Sequence, residues 1–165
     1  MRRLGDRGYS LAELMMVVAI IGILAGVAPP LMIGMQNFFL LTSARYETQR
    51  DARTCLDTIN RYLRQAYSST VVIDTPAGQG PYSRVTFKMA DGRTMQFQQS
   101  GNDLLQVLNG TQTSIISRNL IYIAFTYPRT DDPSIISVSI TMGKNIQLGK
   151  RKVLELTIQK VRIMN

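Results

Sequence analysis

The chain has few groups able to carry chemistry, and their spacing is poor for catalysis. Its 165 residues include no His and a single Cys, Cys55. Without His, the commonest general base and the commonest zinc ligand are missing. One Cys closes no intrachain disulfide and builds no thiolate cluster. Beyond residue 70 the acids are Asp74, Asp91, Asp103, Asp131, Asp132 and Glu155, scattered through turns and one strand-like segment. No two of them have a spacing useful for acid–base work, and no Gly-rich phosphate loop accompanies them. No enzymatic activity is expected. Asp131-Asp132 is the nearest approach to a cation site. Two adjacent carboxylates fall short of the roughly 6–8 oxygens calcium takes, and Arg129 beside them opposes a cation, so the pair reads as a solvated turn. Cys55 lies on an apolar helical stripe with no His to activate it, and reads as a small buried hydrophobe. Neither a metal nor a cofactor is expected.

Charge gives a second candidate. Lys and Arg total 19 against 11 Asp and Glu, a formal net charge of +8. Lys144, Lys150, Arg151 and Lys152 cluster in or beside the loop between the last two expected strands. Such a cluster can neutralise phosphates. It lacks the aromatic pattern or helix-turn-helix that would make it a nucleic-acid reader. A solvated basic loop that keeps an apolar sheet soluble is the default reading, with DNA contact at these four residues as the functional alternative.

The most unusual residue is Glu13. It heads the segment from Leu14 to Met35, which contains no charged residue. At about 1.5 Å per residue, a helix of that length covers roughly the hydrocarbon core of a bilayer. Arg2, Arg3 and Arg7 precede it against one acid, Asp6. This bias keeps the N-terminus cytoplasmic and sends the rest of the chain across the membrane. The apolar run is too long for the core of a secretory signal peptide. Gly26-Val27-Ala28 imitates a cleavage site, but Pro29 would follow the cut directly. In a plain membrane anchor, Glu13 would be an intramembrane acid with no partner in its own segment. Its partner is therefore expected on another chain or at a newly created N-terminus.

Gly8-Tyr9-Ser10-Leu11-Ala12-Glu13-Leu14, followed by the unbroken apolar run, resembles the class III signal of type IV pilin-like proteins, the pilins and the pseudopilins of type II secretion. The resemblance implies that a prepilin peptidase cuts after Gly8 on the cytoplasmic face and methylates the new amine of Tyr9. It implies that Glu13 then pairs with the N-terminus of a neighbouring subunit as the filament assembles. Tyr9 stands where Phe is usual. The implied partners are the prepilin peptidase, other pilin or pseudopilin subunits, the inner-membrane assembly machinery and, before assembly, the inner membrane itself. A buried amine–carboxylate pair of this kind can set register, because a slip leaves a charge unpaired.

These residues need a scaffold, and the periodicity of the sequence supplies one. Pro29-Pro30 interrupts the apolar run, and each proline removes an i→i−4 hydrogen bond, so a helix kink is expected there. Gly22-x-x-x-Gly26 matches a common helix-packing pattern. Apolar residues then recur every three to four positions at Ala52, Cys55, Leu56, Ile59, Tyr62, Leu63 and Ala66. The helix is expected from about Leu11 to about Tyr67, with Asp57 and Arg61 as an i,i+4 ion pair. Beyond Ser68-Ser69-Thr70 the period changes to two. Strands are expected over 84–89, 94–99, 104–108, 113–117, 120–127, 135–142 and 153–163. Asp91-Gly92, Ser100 to Asp103, and Asn109-Gly110 mark the turns. The fold class is therefore α+β: a long kinked N-terminal helix, membrane-spanning in its first half, packed on a C-terminal antiparallel sheet. The expected divisions are a cleaved leader over 1–8, a hydrophobic helix over 9–35 and a periplasmic or extracellular head over 36–165.

From Val85 onward the order of elements is similar to that of J-type minor pseudopilins and W-type minor pilins. It runs through a Phe-containing strand, an Asp-Gly turn, a polar strand, a Gly-Asn turn, a Leu-rich strand and then Ile121-x-x-x-Phe125-x-Tyr127. The ending Val161-Arg162-Ile163-Met164-Asn165 is similar to their short Arg-containing terminal strand. That likeness implies a subunit at or near a filament tip that primes assembly. Major pilins often carry a C-terminal disulfide loop, which one Cys cannot form. The expected location is the bacterial inner membrane, single-pass with the head periplasmic, and later the filament. The alternative is a membrane-anchored module whose basic sheet contacts DNA or polysaccharide.

Overall fold

A computed structural model describes residues 9–146 and 150–164, with side chains for 9–144 and 157–164. One helix, α1 (Leu11–Leu63), precedes eight strands. These are β1 (Val72–Asp74), β2 (Arg84–Lys88), β3 (Thr94–Ser100), β4 (Asp103–Leu108), β5 (Gln112–Ser117), β6 (Leu120–Thr126), β7 (Ile135–Ile146) and β8 (Lys150–Arg162). All strand pairings are antiparallel, so the fold is α+β. Contacts divide the chain into two compact units, Met1–Thr42 and Ser43–Asn165.

Within the second unit, the stripe on α1 packs against both sheets. Ala52, Cys55, Leu56, Ile59 and Leu63 are buried together with Phe87, Phe97, Phe125, Leu104 and Ile140. Tyr62, Phe97 and Phe87 form a row of tilted rings with centroids 6.0 and 6.2 Å apart. The two-residue alternation of the strands drives this burial. Val85 and Phe87 face inward on β2, Met95 and Phe97 on β3, and Ile136, Val138, Ile140 and Met142 on β7.

The structure corrects the sequence reading in four places. The expected single sheet is two, ordered β1-β2-β3-β4-β5 and β6-β7-β8. The chain leaves the first sheet after Ser117, where Asn119 Nδ2 donates to Asp51 Oδ2 on α1 at 2.9 Å. That contact carries β6 away from β5, and β6 pairs with β7 instead. The helix ends at Leu63 rather than Tyr67. Ala66 pairs with Met89, Tyr67 N–H donates to Lys88 O at 3.0 Å, and Ala90 N–H donates to Gln65 O at 3.0 Å, so β-type bonds replace the last helical turn. Strand β1 was not anticipated because three residues are too short for an alternating pattern. It forms through pairing with β2, and Asp74 and Arg84 stand opposite each other as an ion pair. Finally, the expected pair Asp57–Arg61 is not among the ion pairs of the described residues. The Arg61 guanidinium instead lies 5.1 Å from the centroid of the Tyr62 ring, a cation–π arrangement that competes for the same side chain.

One glutamine joins the sheets. Gln99 on β3, 7% exposed, donates from Nε2 to Ile121 O on β6 at 2.9 Å, and its Oε1 accepts from Ile123 N–H at 3.2 Å. It thus supplies strand-like bonds to β6 across a gap where no strand pairs.

Candidate functional site

At the start of α1, Ser10 and Glu13 cap the helix reciprocally. Ser10 N–H donates to Glu13 Oε2 at 2.9 Å, and Glu13 N–H donates to Ser10 Oγ at 3.3 Å. This is a capping box, in which two of the helix's otherwise orphaned N–H groups find partners. Glu13 thus accepts a backbone hydrogen bond from Ser10, just ahead of the apolar segment. A Ser-x-x-Glu spacing ahead of an apolar run is itself the signal for this motif, and it was legible in the sequence. Tyr9 is 87% exposed just before the cap. Gly8, the expected cleavage position, lies outside the described residues.

Every side chain from Tyr9 through Leu40 is exposed. These include Ile20, Ile21, Leu24, Leu31 and Phe38, each more than half exposed. A helix apolar on all sides needs lipid or other protein around it. α1 is long and apolar enough to cross a membrane, and none of its most apolar stretch is buried.

Residues 3–29 match the prokaryotic N-terminal methylation motif. The methylation motif supports a type IV pilin-like subunit of a pilus or pseudopilus, processed by prepilin peptidase and assembled with other pilins. Proteins carrying it as a group are structural subunits rather than enzymes. Together with the apolar helix, the methylation motif fits an inner-membrane-anchored pilin. No curated protein matches the chain. Pro29, the last residue matched, and Pro30 lie inside α1, whose helical assignment continues through both. Lacking N–H groups, they leave the carbonyls of Ala25 and Gly26 without their helical donors.

The remaining candidates separate from this motif. Lys144 is on β7 and forms an ion pair with Glu47 of α1. Lys150, Arg151 and Lys152 belong to β8 rather than to a loop, in register with Ile146, Asn145 and Lys144; their side chains lie outside the described ones. Both side chains of the Lys144–Glu47 pair are partly exposed. Cys55 is 1% exposed, and burial pushes its thiol up to about 12, reinforced by the nearby Asp51 carboxylate and partly offset by a hydrogen bond with Ser117. A thiol so disfavoured as thiolate is a poor nucleophile. Asp132 accepts from Ser134 N–H at 2.9 Å and also from Ser134 Oγ, and these bonds hold its carboxyl below the usual range. The acid thereby serves a turn. Among the described residues no group of three or more His, Cys, Asp or Glu could hold a metal.

Proposed function

We propose that this protein is a minor pilin or pseudopilin, a structural subunit at or near the tip of a type IV pilus-like or type II secretion filament, where it primes assembly. The observation that carries this reading is the methylation motif at 3–29 continuing into a helix whose apolar side chains are all exposed through Leu40. Such a surface suits two environments in turn, lipid before assembly and packed helices of neighbours afterwards. Residues 1–8 act as the leader, 9–35 as the anchor and later filament-core helix, and 36–165 as a periplasmic head. Loss of the leader removes three Arg and one Asp, the charges that hold the N-terminus in the cytoplasm. Tyr9 becomes the methylated N-terminus, and Glu13 pairs with the Tyr9 amine of an adjacent subunit. The minor assignment rests on the strand order after Val85 and on the single Cys.

Co-expression with prepilin peptidase followed by intact-mass measurement tests the reading. The expected mass lacks residues 1–8 and carries one added methyl group. Gly8→Val abolishes both changes, because a branched side chain blocks the scissile bond. Full-length protein persisting beside an active peptidase refutes the assignment.

A further inference from the structure

A cleft of about 450 Å³ opens between the polar side of α1 and strand β8, lined by Asp57, Asn60, Arg61, Arg64, Gln159 and Met164 among others. It lies wholly within the unit Ser43–Asn165. Three features of it point to a ligand. First, Asn60 is 6% exposed, and its Oδ1 has no hydrogen-bond partner. A buried acceptor left empty is costly, and Asn60 is one of the residues that line the cleft. Second, two guanidinium groups stand there against one carboxylate, so the cleft favours an anion. Third, β8 is the edge strand of its sheet and presents backbone groups on the side away from β7. Beside that edge, Ile158 and Met164 are 60% and 78% exposed.

We propose that this cleft binds an extended acidic segment of another protein, laid along β8 as an added strand, with a carboxylate on Arg61 and Arg64 and an N–H or O–H donor on Asn60 Oδ1. The proposal rests on the filament-subunit reading. A nucleic acid meets the arginines with phosphate and Asn60 with a base N–H, but it has no peptide backbone to pair with β8. A polypeptide strand matches all three. Ile158 and Met164 give such a strand apolar contact beside its polar bonds.

The test uses the full chain, processed after Gly8 and held in detergent micelles. Two fluorescent eight-residue peptides serve as probes, one alternating Glu with Val and one alternating Gln with Val, with binding read by anisotropy. The Glu peptide is expected to bind about tenfold or more tighter than the Gln peptide, with affinity falling as salt rises. Arg64→Gln and Asn60→Leu are each expected to weaken it about five- to tenfold. Asn60→Leu is also expected to keep or raise the melting temperature, which shows that the lost binding is not lost folding. N-methylation of alternate backbone positions in the Glu peptide should abolish binding. Equal affinity for the two peptides, indifference to Asn60→Leu, or indifference to backbone methylation overturns the proposal. Equal binding of a single-stranded oligonucleotide with the same dependence on Arg64 also overturns it, by making the cleft a general polyanion site. Processing after Gly8 is scored separately, so failed binding in a correctly processed protein sinks the cleft alone.

Discussion

Glu13 has two plausible employments at the residue scale, and a pair of substitutions separates them. It caps its own helix through Ser10, and in the proposed filament it also meets a neighbour's Tyr9 amine. Ser10→Ala removes part of the cap while leaving the carboxylate, costing about 1 kcal/mol of local helix stability. Glu13→Ala removes both functions. Stranding an amine in an apolar core costs roughly 3–5 kcal/mol, or about a hundredfold to several thousandfold in incorporation at an internal site. The expected outcome is therefore near-normal filament content for Ser10→Ala and a processed, membrane-retained Glu13→Ala protein, measured by fractionating sheared filaments. Matching defects in both variants would reduce Glu13 to a cap. A strict tip position predicts a milder Glu13→Ala defect, because no subunit lies ahead of it. Asp74 is a smaller case with a defined pH window. Its hydrogen bonds and ion pair with Arg84 hold its carboxyl below the ordinary value of 3.8. The stabilisation is thus fully present above about pH 4, where the unfolded group is also ionised, and is lost as pH falls through the lower folded value. Both partners are partly exposed, so Asp74→Asn should cost at most about 1 kcal/mol at pH 6, and that cost should shrink as pH falls below about 4, read from urea unfolding.

At the scale of elements, the two sheets share one core and are tied by Phe125 N–H to Tyr82 O and Leu120 N–H to Asn102 O, with Gln99 the side chain that bonds two backbone groups of β6. Gln99→Leu keeps the volume and removes the bonds to Ile121 O and Ile123 N–H. Leaving two buried backbone groups unpaired costs about 2–4 kcal/mol, and the loss should appear as a lowered midpoint in urea. A midpoint within about 0.5 kcal/mol of the parent would show that water replaces the amide. The helix stop belongs to the same scale. Residues 64–67 have no Gly or Pro to end a helix, and Lys88 at the end of β2 and the bridge residue Met89 end it by taking their backbone partners. The hairpin between β4 and β5 is the opposite case, set locally. Asn109 and Gly110 both have positive φ, 51° and 72°, which is the geometry Asn-Gly supplies for a two-residue turn. The Asn109 side chain then accepts from Thr94 N–H at 2.9 Å and ties that turn to β3.

For the whole molecule, solubility should depend on where the chain is cut. Phe38 and Phe39 are each 71% exposed, and contacts divide the chain after Thr42. A protein beginning at Ser43 keeps the buried stripe of α1 and loses the exposed apolar run. It is expected to be a soluble monomer showing both helix and strand in circular dichroism. One beginning at Gln36 keeps both phenylalanines and should self-associate as concentration rises, detectable by sedimentation velocity. A Ser43 chain that aggregates without secondary structure would contradict an independently folding head. Cys55 offers a check on that fold: with its thiol pushed up to about 12 and buried, it should resist alkylation at pH 8 until the head unfolds.

The features set by local chemistry were legible in the sequence alone. The processing motif, the apolar helix, the inward faces of the strands and the Asp-Gly and Asn-Gly turns each depend on residues a few positions apart, where periodicity and backbone preference act directly. Ser10-x-x-Glu13 was legible in the same way, and the pull of Glu13 toward another chain obscured it. Pairing between distant segments was not legible. That Asn119 would reach Asp51, that Gln99 would bond β6, that Met89 would end the helix at Leu63, and that Arg61 would turn to Tyr62 rather than Asp57 each depend on which surfaces meet after collapse. No window of sequence holds both partners of the long-range contacts, and Arg61 has both Asp57 and Tyr62 within reach on its own helix. The tertiary structure settles such choices because it buries one arrangement and leaves its rival in water.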